Sequence, residues 1–454
     1  MHSMEYKITN AYCKRVWDDV STRCADQEHF LQAVGLALES ICPAVDAMAD
    51  LEKTAVLERF VEPERIIIFR VPWTDDAGRS HVNRGYRVQF NSAIGPYKGG
   101  LRFSPEVGLD VLKFLGFEQV LKNALTTLPM GGGKGGSDFD THGKSDGEIM
   151  RFCQSFMTEL YRHVGADTDV PAGDKGVGGK EVAYLFGQYK RITNQYTGVL
   201  TGKGLTFGGS LARMEATGYG LVYFVESMLE KRGQTLAGKT AIISGDGNVA
   251  QFAAEKLIEL GAKPITFSDS TGYILDEEGV TTEKLEYVKE FRAGRQKVDA
   301  YVKRYPSAKF FKGEKPWGVK ADIALPCATQ DEIYLEDAQK LVANGCYLVA
   351  EGANMPTRAE AIKYFLEHEV LFGPGKAANA GGVAVSGLEM SQNSERLSWT
   401  FREVDDKLKG IMKAIHDNAY ATSKKYTTAG NYVAGANIAG FVKVADAMAA
   451  QGLV

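Results

Sequence analysis

Residues 239–250 read Lys239-Thr240-Ala241-Ile242-Ile243-Ser244-Gly245-Asp246-Gly247-Asn248-Val249-Ala250, a short apolar strand that runs directly into a glycine turn. A helical pattern follows at Gln251–Leu260, and a second apolar strand follows at Pro264–Phe267. This order predicts a βαβ unit with its glycines at the first turn. Further strand-like runs alternate with helical segments and extend the prediction to a parallel α/β sheet: Asp322–Leu325, Tyr347–Glu351 and Val370–Phe372.

The glycine turn has the spacing of a dinucleotide-binding site, Gly245-x-Gly247-x-x-Ala250. Gly245 permits a tight turn, Gly247 lets a pyrophosphate approach the backbone, and Ala250 keeps the helix close to the sheet. The N-terminus of the helix that follows supplies free N–H groups and a partial positive charge, which favour an anion. The same spacing also occurs in plain βα turns, so the prediction depends on the flanking strands.

The choice of coenzyme is expected to depend on the end of the second strand, Ser268-Asp269-Ser270. An acid at this place normally binds the ribose diol of NAD, which argues against a 2′-phosphate. The hydroxyls of Ser268 and Ser270 can instead donate to a 2′-phosphate, with help from a cation such as Arg292. From the chemistry of these residues alone, NAD and NADP both remain open.

The composition is that of a globular protein with more than one domain. At 454 residues the chain exceeds one ordinary core, so two or three domains are expected. Apolar residues make up 44% and charged residues 24%, as in soluble proteins. The net charge of −4 gives no electrostatic reason to expect nucleic acid or a membrane as a partner.

The cysteines and histidines show no spacing typical of a metal site, with neither CxxC nor HxxxH. No metal is therefore predicted. Scattered thiols are typical of a reducing compartment. The first residues lack an apolar signal core and include Asp18, Asp19 and Asp26, which a transit peptide would avoid. We expect a cytoplasmic protein.

Two domains are predicted, an α/β domain over residues 1–205 and a dinucleotide-binding domain over residues 206–454. The boundary falls in the segment Gly202–Gly209, which is rich in glycine and lysine. In the first domain, hydrophobic spacing predicts helices over residues 10–60 and at Leu109–Leu125, Phe152–Tyr161 and Val182–Tyr196, and strands at Arg65–Trp73 and Tyr86–Phe90. The second domain begins with a helix at Ala216–Lys231, and residues 396–454 return to helix.

Glycine is the outlier of the composition, with 50 of 454 residues, about 11% against a usual share of roughly 7%. The first domain has four segments in which lysines or acids stand near glycine or in a helix: Ile94–Gly100, Glu118–Lys122, Pro129–Gly136 and Pro171–Gly176. We expect turn-forming backbone in the glycine-rich segments, because glycine permits close approach and positive φ. A lysine held there is desolvated and crowded by other cations, which lowers its pKa. This pattern favours a site that binds a small anion and moves protons on it.

Two other interpretations of the lysine at position 134 need weighing. A phosphate loop of nucleotide hydrolases requires Ser or Thr directly after the lysine, and Gly135 stands there instead. That interpretation is rejected. The second interpretation is that Lys134 is an exposed lysine on a glycine loop. The same alternative applies to Lys98 and Lys122, because most lysines are solvated.

Taken together, these motifs resemble those of the hexameric, bacterial-type glutamate dehydrogenases, within the Glu/Leu/Phe/Val dehydrogenase family. The resemblance extends over essentially the whole chain, in the family's order and spacing. Besides the dinucleotide turn, the motifs are Gly95–Phe103, Gly131–Gly136, Pro171–Asp174, Glu351–Pro356 and Lys376–Val383.

The resemblance implies reversible reductive amination of 2-oxoglutarate with ammonium to L-glutamate. By position, Lys134 matches the catalytic lysine and Asp174 the carboxylate that shuttles protons to and from the substrate nitrogen. Lys98 and Ser386 match the pair that grips the side-chain carboxylate. The groups that match the binding site for the other end of the substrate are Gln119, Lys122 and the backbone of Gly173.

The resemblance also implies a coenzyme site and an assembly. Residues that match nucleotide-contacting positions are Thr217, Gly245, Gly247, Asn248, Val249, Asn354 and Asn379. NADP-using relatives carry the Ser-Asp-Ser string of residues 268–270 and a phosphate-facing cation at the position of Arg292, so NADP is expected. Family members form hexamers and close their two-domain cleft on substrate, and about residues 430–454 are expected to return to the first domain.

Two rival functions differ from this expectation. Relatives that act on leucine, phenylalanine or valine tend to have an apolar residue at the position of Lys98, since their substrates lack a distal carboxylate. Lys98 together with Ser386 therefore disfavours them. The second rival is a catalytically silent nucleotide-binding subunit, which would have no need to retain both Lys134 and Asp174.

Overall fold

The computed structural model describes residues 6–48 and 50–454. The chain divides into two compact units, the first made of Met1–Leu211, Val385–Phe401 and Asn437–Val454 and the second of Ala212–Ala384 and Arg402–Ala436. The predicted boundary at residue 205 lies close to Leu211, where the first segment of the first unit ends. The prediction, however, assigned Val385–Phe401 to the second domain. That segment lies in the first unit.

The first unit contains helices on both faces of a five-stranded sheet. Its elements before residue 212 are α1 (Ala11–Arg23), α2 (Glu28–Ala47), α3 (Val56–Phe60), β1 (Arg65–Thr74), β2 (Ser80–Asn91), β3 (Tyr97–Phe103), α4 (Leu109–Leu125), β4 (Gly132–Ser137), α5 (Asp146–Leu160), β5 (Asp169–Gly173) and α6 (Gly179–Thr193). The bounds of α4 are those predicted from hydrophobic spacing. Helix α5 begins six residues earlier than predicted because Ser145 forms a capping box with Glu148.

The sheet of the first unit has the order β1-β2-β4-β3-β5. Strands β1 and β2 form an antiparallel hairpin, whereas β3 runs parallel to both β4 and β5. Arg102 pairs with Gly136 across β3 and β4, and side chains two residues apart share a face. Lys134, two residues before Gly136, therefore lies on the same face as Arg102 and Lys98.

The prediction of turn-forming backbone is confirmed at residues 94–95 and 175–176, but it is wrong for residues 97–100 and 132–136, which lie in strands β3 and β4. No residue of Gly131–Gly136 has a positive φ. Glycine is required in these strands because the neighbouring strand and helix approach their backbone closely. A Cβ built at Gly99 would lie 1.7 Å from the carbonyl oxygen of Gly133, and one at Gly132 would lie 2.3 Å from a methyl carbon of Val120 on α4. The missing side chains let these strands and α4 pack closely.

The second unit is built around the predicted parallel sheet. Its elements are α7 (Ala216–Glu230), β6 (Thr240–Ile243), α8 (Asn248–Glu259), β7 (Lys263–Pro264), β8 (Thr266–Asp269), β9 (Gly272–Leu275), α9 (Thr282–Ala293), α10 (Ala300–Arg304), β10 (Lys309–Lys312), β11 (Ile323–Leu325), α11 (Leu335–Ala343), β12 (Leu348–Ala350), α12 (Ala359–Glu367), β13 (Leu371–Gly373) and α13 (Gly375–Ala378). The chain ends with α14 (Gly381–Glu395), α15 (Phe401–Tyr426) and α16 (Tyr432–Gln451). Within α14 and again within α16 it passes from the second unit into the first.

Five strands of the second unit form a sheet in the order β13-β12-β11-β6-β7, and every adjacent pair is parallel. The run predicted as one strand at Pro264–Phe267 is divided in two. Its first part, β7, is the edge strand of the parallel sheet, where proline is tolerated because the missing N–H is not needed. Its second part, β8, joins β9 and β10 in a separate antiparallel sheet.

Among the residues that the structure describes, two helices, α2 and α16, are long and apolar enough to cross a bilayer by length and composition alone. Each has 20 residues and a mean hydropathy of 1.3, and 56% of each apolar window is buried inside the protein. In α2 the buried side chains include Phe30, Val34, Leu38 and Ile41. Burial of this extent is what core helices of soluble proteins show.

We expect Gly99→Ala to destabilise the first unit strongly, because the new methyl group meets backbone that cannot move without breaking the β3–β4 ladder. Overpacking of this kind costs roughly 1–3 kcal/mol or more. The change is measured by urea or thermal unfolding. Gly187→Ala is the matched control on α6, where a Cβ meets nothing within 4 Å, and it should stabilise the helix by about 0.5–1 kcal/mol. An unchanged unfolding midpoint for Gly99→Ala would contradict the packing argument.

Candidate active site

Lys134 and Asp174 lie in direct contact in the first unit. The Nζ of Lys134 is 3.1 Å from Oδ2 of Asp174, which follows β5. The Nε of Arg102 donates to the same oxygen at 2.8 Å. The Lys134 side chain is 7% exposed and that of Asp174 is 21% exposed. The structure therefore brings together the two residues expected to be catalytic and adds Arg102, a cation that the sequence motif contained but whose role was not assigned.

The pKa of Lys134 is lowered from its ordinary value. Burial is the largest cause, the charges of Arg102 and Arg87 add to it, and Asp174 opposes them. Burial alone would raise the pKa of Asp174, but the charges of Lys134 and Arg102 lower it to about 2. The site thus holds an amine that gives up its proton easily beside a carboxylate that stays ionised.

A second ion pair, between Arg87 and Asp169, is fully buried in the same sheet. Both side chains are 0% exposed, and the Nε of Arg87 donates to Asp169 at 2.8 Å. The Nη1 of Arg87 donates to the carbonyl of Gly99 at 3.0 Å, and Gln89 donates to Asp169 at 3.0 Å. Arg87 pairs with Gly135 in the ladder, so it lies on the face opposite Lys134. The pair ties β2, β3 and β5 together behind the lysine.

Lys98 is 1% exposed, although lysines are almost always solvated. Its Nζ donates to the hydroxyl of Thr201 at 2.8 Å. The side-chain amide of Asn123 donates to the carbonyls of Lys98 and Gly131 at 3.0 and 2.5 Å, which fixes the start of β3 against the start of β4. Sequence reasoning assigned no role to Thr201 or Asn123, because neither stands in a glycine-rich motif.

The remaining substrate-site residues predicted from the sequence lie in the same unit. Gln119 and Lys122 stand on α4 and are partly exposed, and the amide of Gln119 donates to Asn123 at 2.6 Å. Gly173 ends β5, where a Cβ would meet the Val177 carbonyl oxygen at 2.5 Å. Ser386 is buried on α14. Several cations and a buried amine on one side of a sheet can bind a small anion and exchange protons with it.

In the second unit, the glycine turn has the geometry that a pyrophosphate requires. Gly245 has φ +84°, which favours glycine. Gly247 is the N-cap of α8, and a Cβ built there meets nothing within 4 Å. Asn248 and Val249 form the first turn of α8, whose N–H groups and dipole suit an anion. These residues fit a dinucleotide.

The end of β8 carries the residues expected to select the coenzyme. The hydroxyl of Ser268 is buried and accepts from the N–H of Gly245 at 2.8 Å, so it supports the turn. Asp269 is directed into its own loop, where Oδ1 accepts from the N–H of Thr271 at 2.7 Å and Oδ2 from the N–H of Val298 at 3.1 Å. These bonds help to lower the pKa of Asp269, against the effect of burial.

Two cations lie near this strand end. The exposed hydroxyl of Ser270 accepts from the Nζ of Lys297 at 3.2 Å. Arg292 is half exposed, with its Nε 3.5 Å from Asp246 in the glycine turn. Burial raises the pKa of Asp246, and Asp269 adds to this while Arg292 opposes it. Sequence reasoning found Arg292 and missed Lys297, which lies five residues further along and outside every motif.

The last predicted nucleotide-contacting residues also lie in the second unit. The side-chain amide of Asn379 donates to Oδ1 of Asn354 at 3.0 Å and to the carbonyl of Ala353 at 2.9 Å. Thr217 stands on α7, and its hydroxyl oxygen would lie 2.7 Å from a Cβ built at Gly382. The structure thus brings Asn354 and Asn379 together.

Comparison with known protein families shows to which family the chain belongs. Residues 208–452 match the Glutamate/Leucine/Phenylalanine/Valine dehydrogenase family, and residues 63–191 match the Glu/Leu/Phe/Val dehydrogenase dimerisation domain. The chain belongs to this dehydrogenase family. It is therefore an oxidoreductase with a pyridine nucleotide coenzyme, as the fold and the glycine turn predict.

Individual relatives resemble the chain over nearly its full length. It is 60% identical over 440 residues to the NADP-specific glutamate dehydrogenase of Haemophilus influenzae, covering 96% of this chain and 97% of the relative. It is 58% identical over 446 residues to the NAD-specific glutamate dehydrogenase of Clostridium symbiosum, covering 97% and 99%. The crystal structure of Plasmodium falciparum glutamate dehydrogenase has a TM-score of 0.95 at 51% identity, covering 97% of this chain and 94% of that one.

Proposed function

We propose that the chain is an NADP-dependent glutamate dehydrogenase, which converts 2-oxoglutarate and ammonium reversibly to L-glutamate. The observation that carries this proposal is the buried amine of Lys134, 3.1 Å from Asp174 and on the same sheet face as the buried ammonium of Lys98. Relatives named glutamate dehydrogenase, at 54–60% identity over nearly the whole chain, support the same substrate.

A dicarboxylate substrate explains why several cations stand in one unit. Lys98, with Thr201 beside it and Ser386 on α14, is proposed to bind the distal carboxylate. Gln119, Lys122 and the backbone of Gly173 bind the other end. An aliphatic or aromatic substrate side chain carries no carboxylate that could accept a hydrogen bond from the amine of Lys98. This argues against leucine, phenylalanine or valine as the substrate.

Lys134 and Asp174 are proposed to carry the proton transfers. In its neutral form the Lys134 amine takes a proton from the water that attacks the substrate carbon, and in the reverse direction the resulting ammonium returns this proton to the hydroxyl that leaves as water and polarises the carbonyl oxygen. Asp174 exchanges a proton with the substrate nitrogen. Its pKa rises when Lys134 loses its charge, because Lys134 is one of the two cations that hold it low. A silent nucleotide-binding subunit would have no use for this coupling.

The coenzyme is proposed to bind the second unit through the glycine turn and the residues around it. Bound there, a nicotinamide coenzyme supplies or accepts the hydride. The contributing residues are Thr217, Gly245, Gly247, Asn248, Val249, Asn354 and Asn379. Gly245 and Gly247 keep side chains out of the turn, and the N-terminus of α8 faces the phosphates.

The residues at the end of β8 favour NADP over NAD. Both oxygens of Asp269 accept hydrogen bonds from the chain's own backbone, so this acid is poorly placed to take a ribose diol. Ser270, Lys297 and Arg292 offer a hydroxyl and two cations for a 2′-phosphate, with Ser268 behind them. NAD remains the second candidate, because the relatives include both NAD-specific and NADP-specific enzymes.

We propose that the protein assembles as a homohexamer in the cytoplasm. The outer hairpin of the first unit exposes Ile66, Ile68 and Val82 by 37%, 57% and 66%, and it lies within the segment that matches the dimerisation domain. Exposed apolar residues on an edge strand fit a subunit contact. All six cysteines are free thiols, which suits a reducing compartment.

The domains receive matching roles. The first, predicted over residues 1–205 and joined by the C-terminal helix, is proposed to bind the substrate and mediate assembly. The second, predicted over residues 206–454 and made of Ala212–Ala384 and Arg402–Ala436 in the structure, is proposed to bind the dinucleotide.

We expect the purified protein to oxidise NADPH only when 2-oxoglutarate and ammonium are both present, with a higher kcat/KM for NADPH than for NADH. The absorbance of the reduced coenzyme measures both rates. Arg292→Met and Lys297→Met should raise KM for NADPH several-fold and leave KM for NADH nearly unchanged. A faster reaction with NADH would reverse the coenzyme assignment, and equal turnover of leucine's keto acid would reverse the substrate assignment.

Asp174→Asn should lower turnover by roughly 10²–10⁴-fold, because one proton-transfer group is lost. Coenzyme affinity, measured by quenching of protein fluorescence on titration with NADPH, should change little. Asp140→Asn is the control, since Asp140 is a half-exposed acid that pairs with nearby His142, and its turnover should equal that of the wild type. Wild-type turnover in Asp174→Asn would remove Asp174 from the mechanism.

A further inference from the structure

Lys203 and Glu389 form a buried ion pair that the proposed chemistry does not use. The Nζ of Lys203 is 2.9 Å from Oε1 of Glu389, and the side chains are 1% and 0% exposed. Both residues belong to the first unit, Lys203 after the turn at residue 201 and Glu389 on α14. Burying two charges is expensive unless their geometry and hydrogen bonds are nearly complete, so the contacts of this pair indicate what it holds in place.

The pair encloses one turn of the chain. Oε2 of Glu389 accepts from the N–H of Gly202 at 2.9 Å, and Oε1 accepts from the N–H of Lys203 at 3.4 Å. The Nζ of Lys203 also donates to the carbonyl of Leu200. Leu200 is buried and has φ +65°, a backbone conformation that costs a non-glycine residue of order 1–3 kcal/mol and persists only where surrounding contacts enforce it.

Thr201 is the residue inside this turn. Its hydroxyl accepts from the Nζ of Lys98 at 2.8 Å, and its N–H donates to the carbonyl of Pro171 at 2.9 Å. Ser386 stands one helical turn before Glu389 on α14 and is also buried. The ion pair therefore connects the strained turn that presents Thr201 to the helix that carries Ser386.

We propose that Lys203 and Glu389 act as positioning residues, which hold the Thr201 hydroxyl and the Ser386 helix around the Lys98 ammonium so that this end of the pocket accepts a carboxylate. The inference rests on the proposed function, since it concerns the distal carboxylate of the same substrate. Neither residue touches the substrate. The pair affects the affinity of the site for a diacid. The chemical step depends on Lys134 and the groups in contact with it, and the pair takes no part in that step.

A purely structural role predicts a different result from the same variants. Replacing a buried ion pair with apolar residues of similar size is often neutral or stabilising. A pair that only stabilised the fold could therefore be replaced by two methionines without loss of function. A positioning pair could not, because methionine cannot hold the Leu200 carbonyl or the Gly202 N–H.

The test compares Glu389→Gln and the double variant Lys203→Met/Glu389→Met with the wild type. We expect KM for 2-oxoglutarate to rise at least tenfold in both, with kcat within about threefold and KM for NADPH unchanged. The dissociation constant of glutarate, measured by calorimetry with NADPH present, should rise in parallel. The double variant removes both charges and so leaves no unpaired charge in the interior. We therefore expect it to fold even if Glu389→Gln does not.

Asp276→Asn is the matched control. Asp276 is 1% exposed and pairs with Lys284 at 2.7 Å in the second unit, so this variant also breaks a buried ion pair. It should lower the unfolding midpoint without changing KM for 2-oxoglutarate.

The outcomes distinguish a failure of the proposed function from a failure of the positioning role of Lys203 and Glu389. If the wild type neither turns over 2-oxoglutarate nor binds glutarate, the proposed function fails. If the wild type does both and the double variant has the same KM and the same glutarate affinity, the positioning role is overturned and the pair is structural only.

Discussion

The contact between Lys134 and Asp174 is the interaction on which the rest of the site depends. A lysine is useful as a base near neutral pH only if its pKa falls well below its ordinary value. Burial of Lys134 supplies most of this effect, and Arg102 and Arg87 add to it. Asp174 opposes the shift, because its negative charge favours the protonated amine. Burial lowers the pKa of Lys134 and Asp174 raises it, and the balance of the two effects determines whether the amine can act as a base.

Close packing of glycine strands makes that burial possible. Lys134 stands in β4, between β2 and β3 and under α4, in a strand whose glycines leave no room for side chains. Arg87 and Asp169 fill the opposite face as a fully buried ion pair. The lysine therefore sits on a rigid strand rather than on a loop, and a site built on regular elements holds its geometry more precisely.

The first strand and helix of the βαβ unit and helix α4 follow from local patterns, so sequence reasoning found them with nearly correct bounds, whereas the second strand of the unit is divided between two sheets. The segments around Lys98 and Lys134 were predicted as turns because glycine permits positive φ, and only the packing of a neighbouring helix and strand explains why glycine stands in these strands. Ser145 and Glu148, a capping box visible in the sequence, would have placed the start of α5. The resemblance to a family supplied the candidate site residues.

Sequence reasoning could not find the pairs that support the site. Arg87 and Asp169 are 82 residues apart, and Lys203 and Glu389 are 186 apart, so no local spacing links them. Each is an ordinary charged residue until the fold removes it from water. The pH dependence of kcat/KM for glutamate oxidation in Arg102→Met tests the central claim most directly. Loss of this cation raises the pKa of Lys134, so the acidic limb, which reports the neutral amine, should move to higher pH, whereas the exposed control Arg162→Met should leave it in place. An unchanged limb, or one that moves to lower pH, would contradict the account.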